Sequence, residues 1–341
     1  MVDLIEAAVA ARRSTILRVG VIGAGIMGAD HANTLRRAVR GAEVTAIADV
    51  DLGRARAAAD GARAYDDAFA LVADPAVDAV VIASHDSAHA EQVVAAVKAG
   101  KAVLCEKPLA PTLAQGRQVL RDIGSTGEAL LSVGFMRRFD PGYAALRQAV
   151  DDGTVGAPVL VHNISRGVSG APNATSELSI TGSSIHEFDV VPWLLRSPVV
   201  EVSWVAPRRS SQVHDGLQDP QLIHLRTADG VLSTCETFLN ARYGYDIRCE
   251  VVGETGAISL TEPARVRLDA GQRHGIGYPA DWRPRFADAY RIELQAWVDS
   301  VLAGAPTPLA TGRDGVVASA AAEAVIASMH DGGRVTKVEA P

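Results

Sequence analysis

RVGVIGAGIMGADHA, residues 18–32, decides the fold. An apolar run breaks at Gly23, two further glycines follow at Gly25 and Gly28, and a helical run takes over in which Leu35 and Val39 stand one turn apart. Gly-x-Gly-x-x-Gly alone is a weak signal; a strand before it and a helix after it make it a strong one. The first glycine permits a tight turn and the second lets backbone approach a pyrophosphate, which the free N–H groups and dipole of the helix start attract. The third allows helix and strand to pack closely. Asp49 ends the next apolar run, EVTAIAD, at about the 20-residue spacing at which an acid hydrogen-bonds both ribose hydroxyls. An acid there repels a 2′-phosphate, and no arginine follows it immediately, so the pattern favours NAD over NADP. Ile26 and Met27, within the turn, belong to the same expected cofactor site. The bland alternative is a glycine-rich turn in a doubly wound domain that binds no dinucleotide.

Working outward, residues up to about 140 alternate apolar and helical runs. DAVVIAS (78–84), AVLCEK (102–107) and ALLSVGF (129–135) read as strands, and HAEQVVAAVKAG (89–100) as a helix stopped by Gly100. Apolar runs without polar alternation suit strands buried on both faces, and the intervening helices imply a parallel sheet. After a helix at PGYAALRQAV (141–150) the pattern changes. LIHLRTADGVLSTCETF (222–238) carries Asp229-Gly230 between two alternating runs, a hairpin signal, and IRCEVVGETGAISL (247–260) repeats the arrangement. RFADAYRIELQAWVDSVL (285–302) places Phe286, Tyr290, Leu294, Trp297 and Val301 at helical spacing, which we assign to the helical face of this second half. The expected fold class is α/β: a Rossmann doubly wound parallel sheet over 18–140, followed by a second α/β domain over 141–341 with an open, mainly antiparallel sheet that binds substrate and mediates oligomerisation.

Bulk properties bound the rest. A chain of 341 residues suggests two domains, and 48% hydrophobic with 21% charged residues describes an ordered globular protein. A net charge of -7 argues against a nucleic-acid surface. Three cysteines, Cys105, Cys235 and Cys249, form no Cys-x-x-Cys or Cys/His pattern, so no metal site or disulfide scaffold is expected, and a reducing, cytoplasmic setting is the default. No apolar run approaches the roughly 20 residues that cross a bilayer. MVDLIEAAVAARRSTIL has acids early and its arginine pair after the apolar part, which is not a signal peptide; a short helix or tail is expected there.

VLCEKPLAPT (103–112) sets Glu106, Lys107 and Pro108 at a strand exit. Ligands of open α/β sheets bind at the carboxyl ends of the strands, so Lys107 is expected over the nicotinamide half of the site. A solvated strand-end lysine is the alternative. At this point GAGIMG, ADVD, CEKPLA, MRRFDPGY and HEFDVVPWLL fall in an order and spacing that resembles the Gfo/Idh/MocA oxidoreductases, over about Arg18 to Gly304. MRRFDPGY and ARYGYDIRCEVVGETG resemble the inositol-dehydrogenase branch in particular.

The resemblance implies NAD(P)-dependent oxidation of a secondary alcohol on a cyclitol or sugar. It also implies assembly through the open sheet of the second domain, often as a tetramer. It makes Lys107 the active-site lysine and His186, in ITGSSIHEFD (180–189), the catalytic base, with Glu106 and Ser84 on the cofactor side. An imidazole of ordinary pKa about 6.5 suits that proton transfer. Met136 and Arg137 would line the cofactor–substrate junction. Tyr245, more than Tyr243, would reach the pocket, and Arg166 would either meet substrate or be structural. His85 is expected near the nicotinamide without a proton role, and His89 is expected to be structural.

Two departures stand out. The branch carries an acid four residues before the histidine, where this chain has Gly182; Ser183, Ser184 and Asp189 are the remaining candidates to orient the imidazole. The branch's His-Arg-Asn-Pro run is here Ser165-Arg166-Gly167-Val168. Two alternatives to an inositol or related polyol dehydrogenase therefore stay open: an NAD-retaining, redox-neutral glycosidase, and an NAD-binding protein whose catalytic set has decayed.

Overall fold

The structure is a computed structural model and describes residues 16–261 and 267–339. The expectation for the segment before the first strand falls on residues 1–15, outside that range. The chain divides into two compact units: the described residues up to Phe135 with Tyr290–Val316, and Met136–Ala289 with the residues from Val317 onward.

The first unit is built on a seven-stranded sheet. Its elements are β1 (Leu17–Ile22), α1 (Ile26–Ala38), β2 (Ala42–Ala48), α2 (Leu52–Ala59), β3 (Arg63–Tyr65), α3 (Ala68–Ala73), β4 (Ala79–Ile82), α4 (Asp86–Lys98), β5 (Ala102–Glu106), α5 (Leu113–Glu128) and β6 (Leu131–Gly134). Every residue of β4, β5 and β6 is buried, as continuous apolar runs require when helices cover both faces. The strand order is β6-β5-β4-β1-β2-β3, with a seventh strand outside β6, and β1 is parallel to both β2 and β4. The order reverses at β1, which is the switch point where a doubly wound sheet opens its ligand crevice. Side-chain caps fix the helix starts: Asp51 for α2, Asp67 for α3, His85 for α4 and Thr112 for α5.

The seventh strand comes from far along the chain. Ala310–Thr311 pairs antiparallel with β6. The helix Ala287–Ala303 leads towards it, and from Tyr290 onward it belongs to the first unit. Tyr290 meets the His31 ring edge-on at 5.6 Å, and the Arg40 amide donates to Gln295 Oε1 at 2.8 Å. The apolar face read from the sequence is real: Phe286, Leu294 and Trp297 are buried and Val301 is half-buried. Its partner differs from the expectation, because helical spacing reveals that a face is apolar and not which sheet it covers.

The second unit carries α6 (Pro141–Asp151), β7 (Pro158–Arg166), α7 (Ser176–Ser179), a wide π turn at Ile180–Ser184, α8 (Ile185–Leu195), β8 (Val199–Val205), β9 (Gln221–Thr227), β10 (Leu232–Phe238), β11 (Asp246–Gly253) and β12 (Ala257–Ser259). Its sheet order is β12-β11-β7-β10-β9-β8, closed beside β8 by the short strand Thr336–Lys337. All pairs are antiparallel except β7 with β10. Both hairpins read from the sequence form: Gly230 N donates to Thr227 O between β9 and β10, and Gly253 N to Gly256 O between β11 and β12. Burial alternates along β7, β9 and β10, so one face is packed and the other is open.

Candidate active site

The glycine turn has the geometry a dinucleotide needs. Gly23 stands at φ +91°, and a Cβ on it would lie 2.5 Å from the Ala83 carbonyl and the Ser84 amide. A Cβ on Gly28 would lie 1.7 Å from Gly23 O, so α1 packs directly on the turn. A Cβ on Gly25 would meet nothing within 4 Å. That open space lies at the N-cap of α1, whose first turn holds no acidic side chain. A side chain there would fill the cradle that a pyrophosphate requires, so the residues present fit the group.

Asp49 is tied to this turn. Its Oδ2 accepts the Ala24 amide at 2.8 Å, and its Oδ1 accepts the Asp51 amide at 2.8 Å and Arg54 Nε and Nη2 at 3.1 and 2.8 Å. Burial raises the carboxyl's pKa, but those two amides and the guanidinium outweigh it and hold Asp49 below the usual carboxylate range. The acid therefore presents a fixed charge beside the glycine turn.

The Lys107 turn is braced from beneath by two histidines. Lys107 N donates to Glu106 Oε2 at 3.2 Å, and Glu106 Oε1 lies 2.8 Å from His31 Nε2. Burial opposes the Glu106 charge, yet His31 and the Lys107 neighbourhood keep its carboxyl low. His89 is buried, with Nδ1 2.7 Å from Pro108 O and Nε2 3.2 Å from Ser84 O, which ties the Lys107 turn to the end of β4. His89 is structural, as expected. His85 is the α4 N-cap, with Nδ1 accepting from the Ser87 amide, and its side chain is exposed. Ser84 Oγ donates to Gln92 Oε1 at 2.7 Å. His31 had no distinct sequence signal, since it reads as one more residue of the glycine-motif helix.

In the second unit, His186 lies on the first turn of α8, directly after the π turn, and is half-buried. Such wide turns are frequent at functional sites. The next residue, Glu187, is buried and holds a polar core together. It accepts from Arg137 Nη1 and, at 2.6 Å, from Ser165 Oγ, while Arg137 Nη2 donates to Ser165 Oγ at 3.1 Å. Arg137 is 2% exposed and also lies over the rings of Tyr143 and Phe286. Burial works against its charge, but Glu187 more than compensates and raises its pKa. Tyr245 borders the same guanidinium; burial pushes its hydroxyl up to about 12, with Arg137 pulling the other way. Sequence reasoning missed Glu187, because nothing in HEFD separates a core carboxylate from a surface one.

Three further expectations receive geometry. Asp189 accepts Arg138 Nε at 3.0 Å and Nη2 at 2.5 Å. Ser184 Oγ pairs with Thr237 Oγ1 at 2.8 Å. Arg166 lies on the open side of β7, opposite to Ser165, where Glu236 accepts its Nε and Nη2 at 2.6 and 2.8 Å and Tyr243 its Nη1 at 3.1 Å. The second unit thus gathers His186, Glu187, Arg137, Ser165 and Tyr245 around the start of α8, and leaves Arg166 on the other face.

Comparison with known proteins agrees with this geometry. Residues 17–135 match the model of the oxidoreductase family with an NAD-binding Rossmann fold, and residues 143–259 match the GFO/IDH/MocA C-terminal domain. Inositol 2-dehydrogenase 2 of Paenarthrobacter aurescens is 53% identical, covering 94% of this chain and 98% of that protein. Inositol 2-dehydrogenase 1 of Saccharopolyspora erythraea is 46% identical over 93% of this chain and 95% of its own. Among solved structures, myo-inositol dehydrogenase from Lactobacillus casei in complex with NAD(H) and myo-inositol superposes with a TM-score of 0.90 at 34% identity, covering 96% of this chain and 98% of that one. With a glycine cradle tied to Asp49, a lysine at the exit of β5 and full-length relatives of one kind, the chain belongs to the Gfo/Idh/MocA family of NAD-dependent oxidoreductases.

Proposed function

We propose that this protein is an NAD-dependent dehydrogenase that oxidises one ring hydroxyl of an inositol or a close cyclitol to the ketone. The observation that carries the reading is the 53% identity to an inositol 2-dehydrogenase along nearly the whole of both chains. NAD, when bound, accepts the hydride that leaves the carbinol carbon. Gly23, Gly25, Ile26, Met27 and Gly28 hold its pyrophosphate, Asp49 its adenosine ribose, and Ser84 and Glu106 border the nicotinamide half. His186 takes the hydroxyl proton. Lys107 places an ammonium near the developing alkoxide and lowers its energy.

Arg137 fixes the start of α8 through Glu187, and Tyr245 borders the Arg137 guanidinium. Arg137 spends two donors on Glu187 and Ser165, so its part is to hold the histidine's helix more than to grasp the polyol. Arg166 braces the open sheet face through Glu236.

The same reading makes the protein a cytoplasmic homotetramer. Leu160, Ile164, Leu222 and Phe238 share the open face of the sheet with Val205, which is 40% exposed. A sheet face that mixes these apolar side chains with charged ones such as Arg166 and Glu236 suits a second copy of the chain. No described helix is long and apolar enough to cross a membrane.

The test is NAD reduction, followed at 340 nm, across inositol isomers, aminocyclitols and hexoses, with sedimentation analysis of the same sample. The expected result is continuous NADH production with at least one inositol from a particle four times the chain mass. Glycoside cleavage without net NADH, or tight NAD binding with no turnover on any polyol, would overturn it.

A further inference from the structure

We propose that His31 is a positioning residue for the dehydrogenase reaction: it holds Glu106, and through Glu106 the Lys107 turn, in place against the helix that receives the nucleotide. The proposal rests on the reading above and concerns a side chain to which that reading gives no part.

Gly28, His31 and Leu35 are buried positions of α1 spaced three and four residues apart, so the imidazole lies on the face by which the helix docks. The ring is 1% exposed, and Tyr290 meets it edge-on at an interplanar angle of 78°. Nδ1 is buried with no hydrogen-bond partner among the described residues, and Nε2 lies 2.8 Å from Glu106 Oε1. An ionised carboxylate only accepts, so the ring's N–H is on Nε2 and is donated to Glu106. Glu106 Oε2 in turn accepts the Lys107 amide at 3.2 Å. Two hydrogen bonds therefore run from the buried face of the nucleotide-binding helix to the backbone of the lysine at the exit of β5.

A carboxylate in the interior is costly unless it is hydrogen-bonded. Burial pushes the Glu106 carboxyl up, and His31 is the strongest influence bringing it down, with Lys107 adding less. β6 closes on the same group, since a Cβ on Gly134 would lie 3.5 Å from its carboxyl carbon and both oxygens. The imidazole thus decides whether the carboxylate stays charged and aimed at the Lys107 amide. A second hold on the turn comes from α4, where His89 faces Pro108 O and Ser84 O. That hold keeps the fold when His31 is changed, and leaves the lysine secured from one side only.

The experiment compares the wild type with His31→Leu, His31→Gln, Glu106→Gln and the His31→Leu, Glu106→Gln double variant. It reads kcat and KM on the best polyol, the NADH dissociation constant by fluorescence, and the rate at which an amine reagent labels Lys107. Labelling is followed by mass spectrometry against the exposed Lys98. His31→Leu is expected to lower kcat by about 10- to 100-fold, the scale of a charge-assisted hydrogen bond. It should speed Lys107 labelling by about threefold or more and move the NADH constant by less than about threefold. His31→Gln, whose amide N–H stands as many bonds from Cα as Nε2, should return kcat to within about threefold of the wild type. In the Glu106→Gln background the His31→Leu loss should shrink to about threefold or less, because the two act through one contact. Wild-type turnover and labelling in His31→Leu would overturn the proposal, as would a loss that glutamine does not repair or that adds fully to Glu106→Gln. If His31→Leu fails to fold, His31→Asn, whose amide stops one bond short, takes its place with the same expectations. A wild type that binds NADH and turns over no polyol would overturn the dehydrogenase reading, and the labelling rates would still decide whether His31 holds Lys107.

Discussion

The glycine turn of the first unit and the polar core of the second are made of opposite materials. The turn works through backbone: its amides and the room left by missing side chains form the cradle, and all of its glycines fall within six consecutive residues. The core under α8 works through side chains brought from three places, Arg137, Ser165 and Glu187, and its hydrogen bonds span up to 50 residues of chain. A backbone site tolerates no added atom at its contacts. A side-chain site tolerates shape changes at its rim and fails when one charge loses its partner.

That contrast can be broken or sharpened by mutation. The largest effect is expected from Glu187→Ala, which strands the Arg137 guanidinium in a dry interior; unfolding in urea should reveal a loss of about 3–5 kcal/mol. The exposed pair Arg313–Glu128 supplies the reference, and Arg313→Ala should cost under about 1 kcal/mol. Equal losses at the two sites would contradict the account of the core.

Next comes His186→Ala, expected to lower kcat on the best polyol by roughly 100-fold or more, about 2.7 kcal/mol of barrier, with NAD affinity retained. Near-wild-type turnover would remove the histidine from the chemistry.

In the turn, Gly28→Ala should lower the melting temperature and abolish NADH binding, because its Cβ falls 1.7 Å from a carbonyl oxygen. Gly25→Ala should leave the melting temperature within a degree or two and weaken NADH by about tenfold, since its methyl enters only the cradle. Similar melting curves for the two variants would show that the turn is not packed as described.

Acid should have a gentler effect, and in both units, since Asp151, Glu177, Asp246 and Asp281 of the second are also lowered. Asp49, Glu106 and Asp74 all sit below the usual carboxylate range. Burial opposes all three but hydrogen-bonded partners win, Asp74 being lowered chiefly by the Ala76 amide and Tyr65. Groups whose folded pKa is depressed stabilise the fold above their unfolded value, about 4, and lose that contribution as pH falls through the lower folded values. The melting temperature of the nucleotide unit should therefore hold from neutral pH to about 5 and drop below about 4. A decline beginning near pH 6 would contradict the carboxylate account.

The smallest effect is expected at Gly182. Its Cβ position meets nothing within 4 Å and its φ lies outside the left-handed region, so Gly182→Asp should fold within about 0.5 kcal/mol of the wild type. Any gain in turnover on myo-inositol then measures what an acid in that place adds to His186. A collapse in stability would show that the π turn requires glycine.

What was legible in the sequence follows from the same division. Gly23, Gly25, Gly28 and Asp49 could be read together because a tight turn, a helix start and a strand end are local events with fixed spacings. The Asp229-Gly230 hairpin was legible for the same reason. Arg54, only five residues from Asp49, escaped notice because a helix places residues by turn and not by adjacency. Glu187 and Ser165 escaped because a buried carboxylate looks like any other until its arginine is found. The apolar stripe of Ala287–Ala303 was visible, but its allegiance depends on the His31 ring and the Arg40 amide, each more than 250 positions upstream of its partner.

One consequence concerns how the molecule is made. The edge of the nucleotide-binding sheet is finished by Ala310–Thr311 against β6, and Ser132 clasps Thr307 across 175 residues. A ribosome emits the first six strands long before that closing piece exists. Until it arrives, the β6 edge offers unsatisfied amides and carbonyls to any passing strand. A gene cut after Phe135 should accordingly yield an aggregating fragment, whereas the same fragment fused to residues 290–316 should remain in solution.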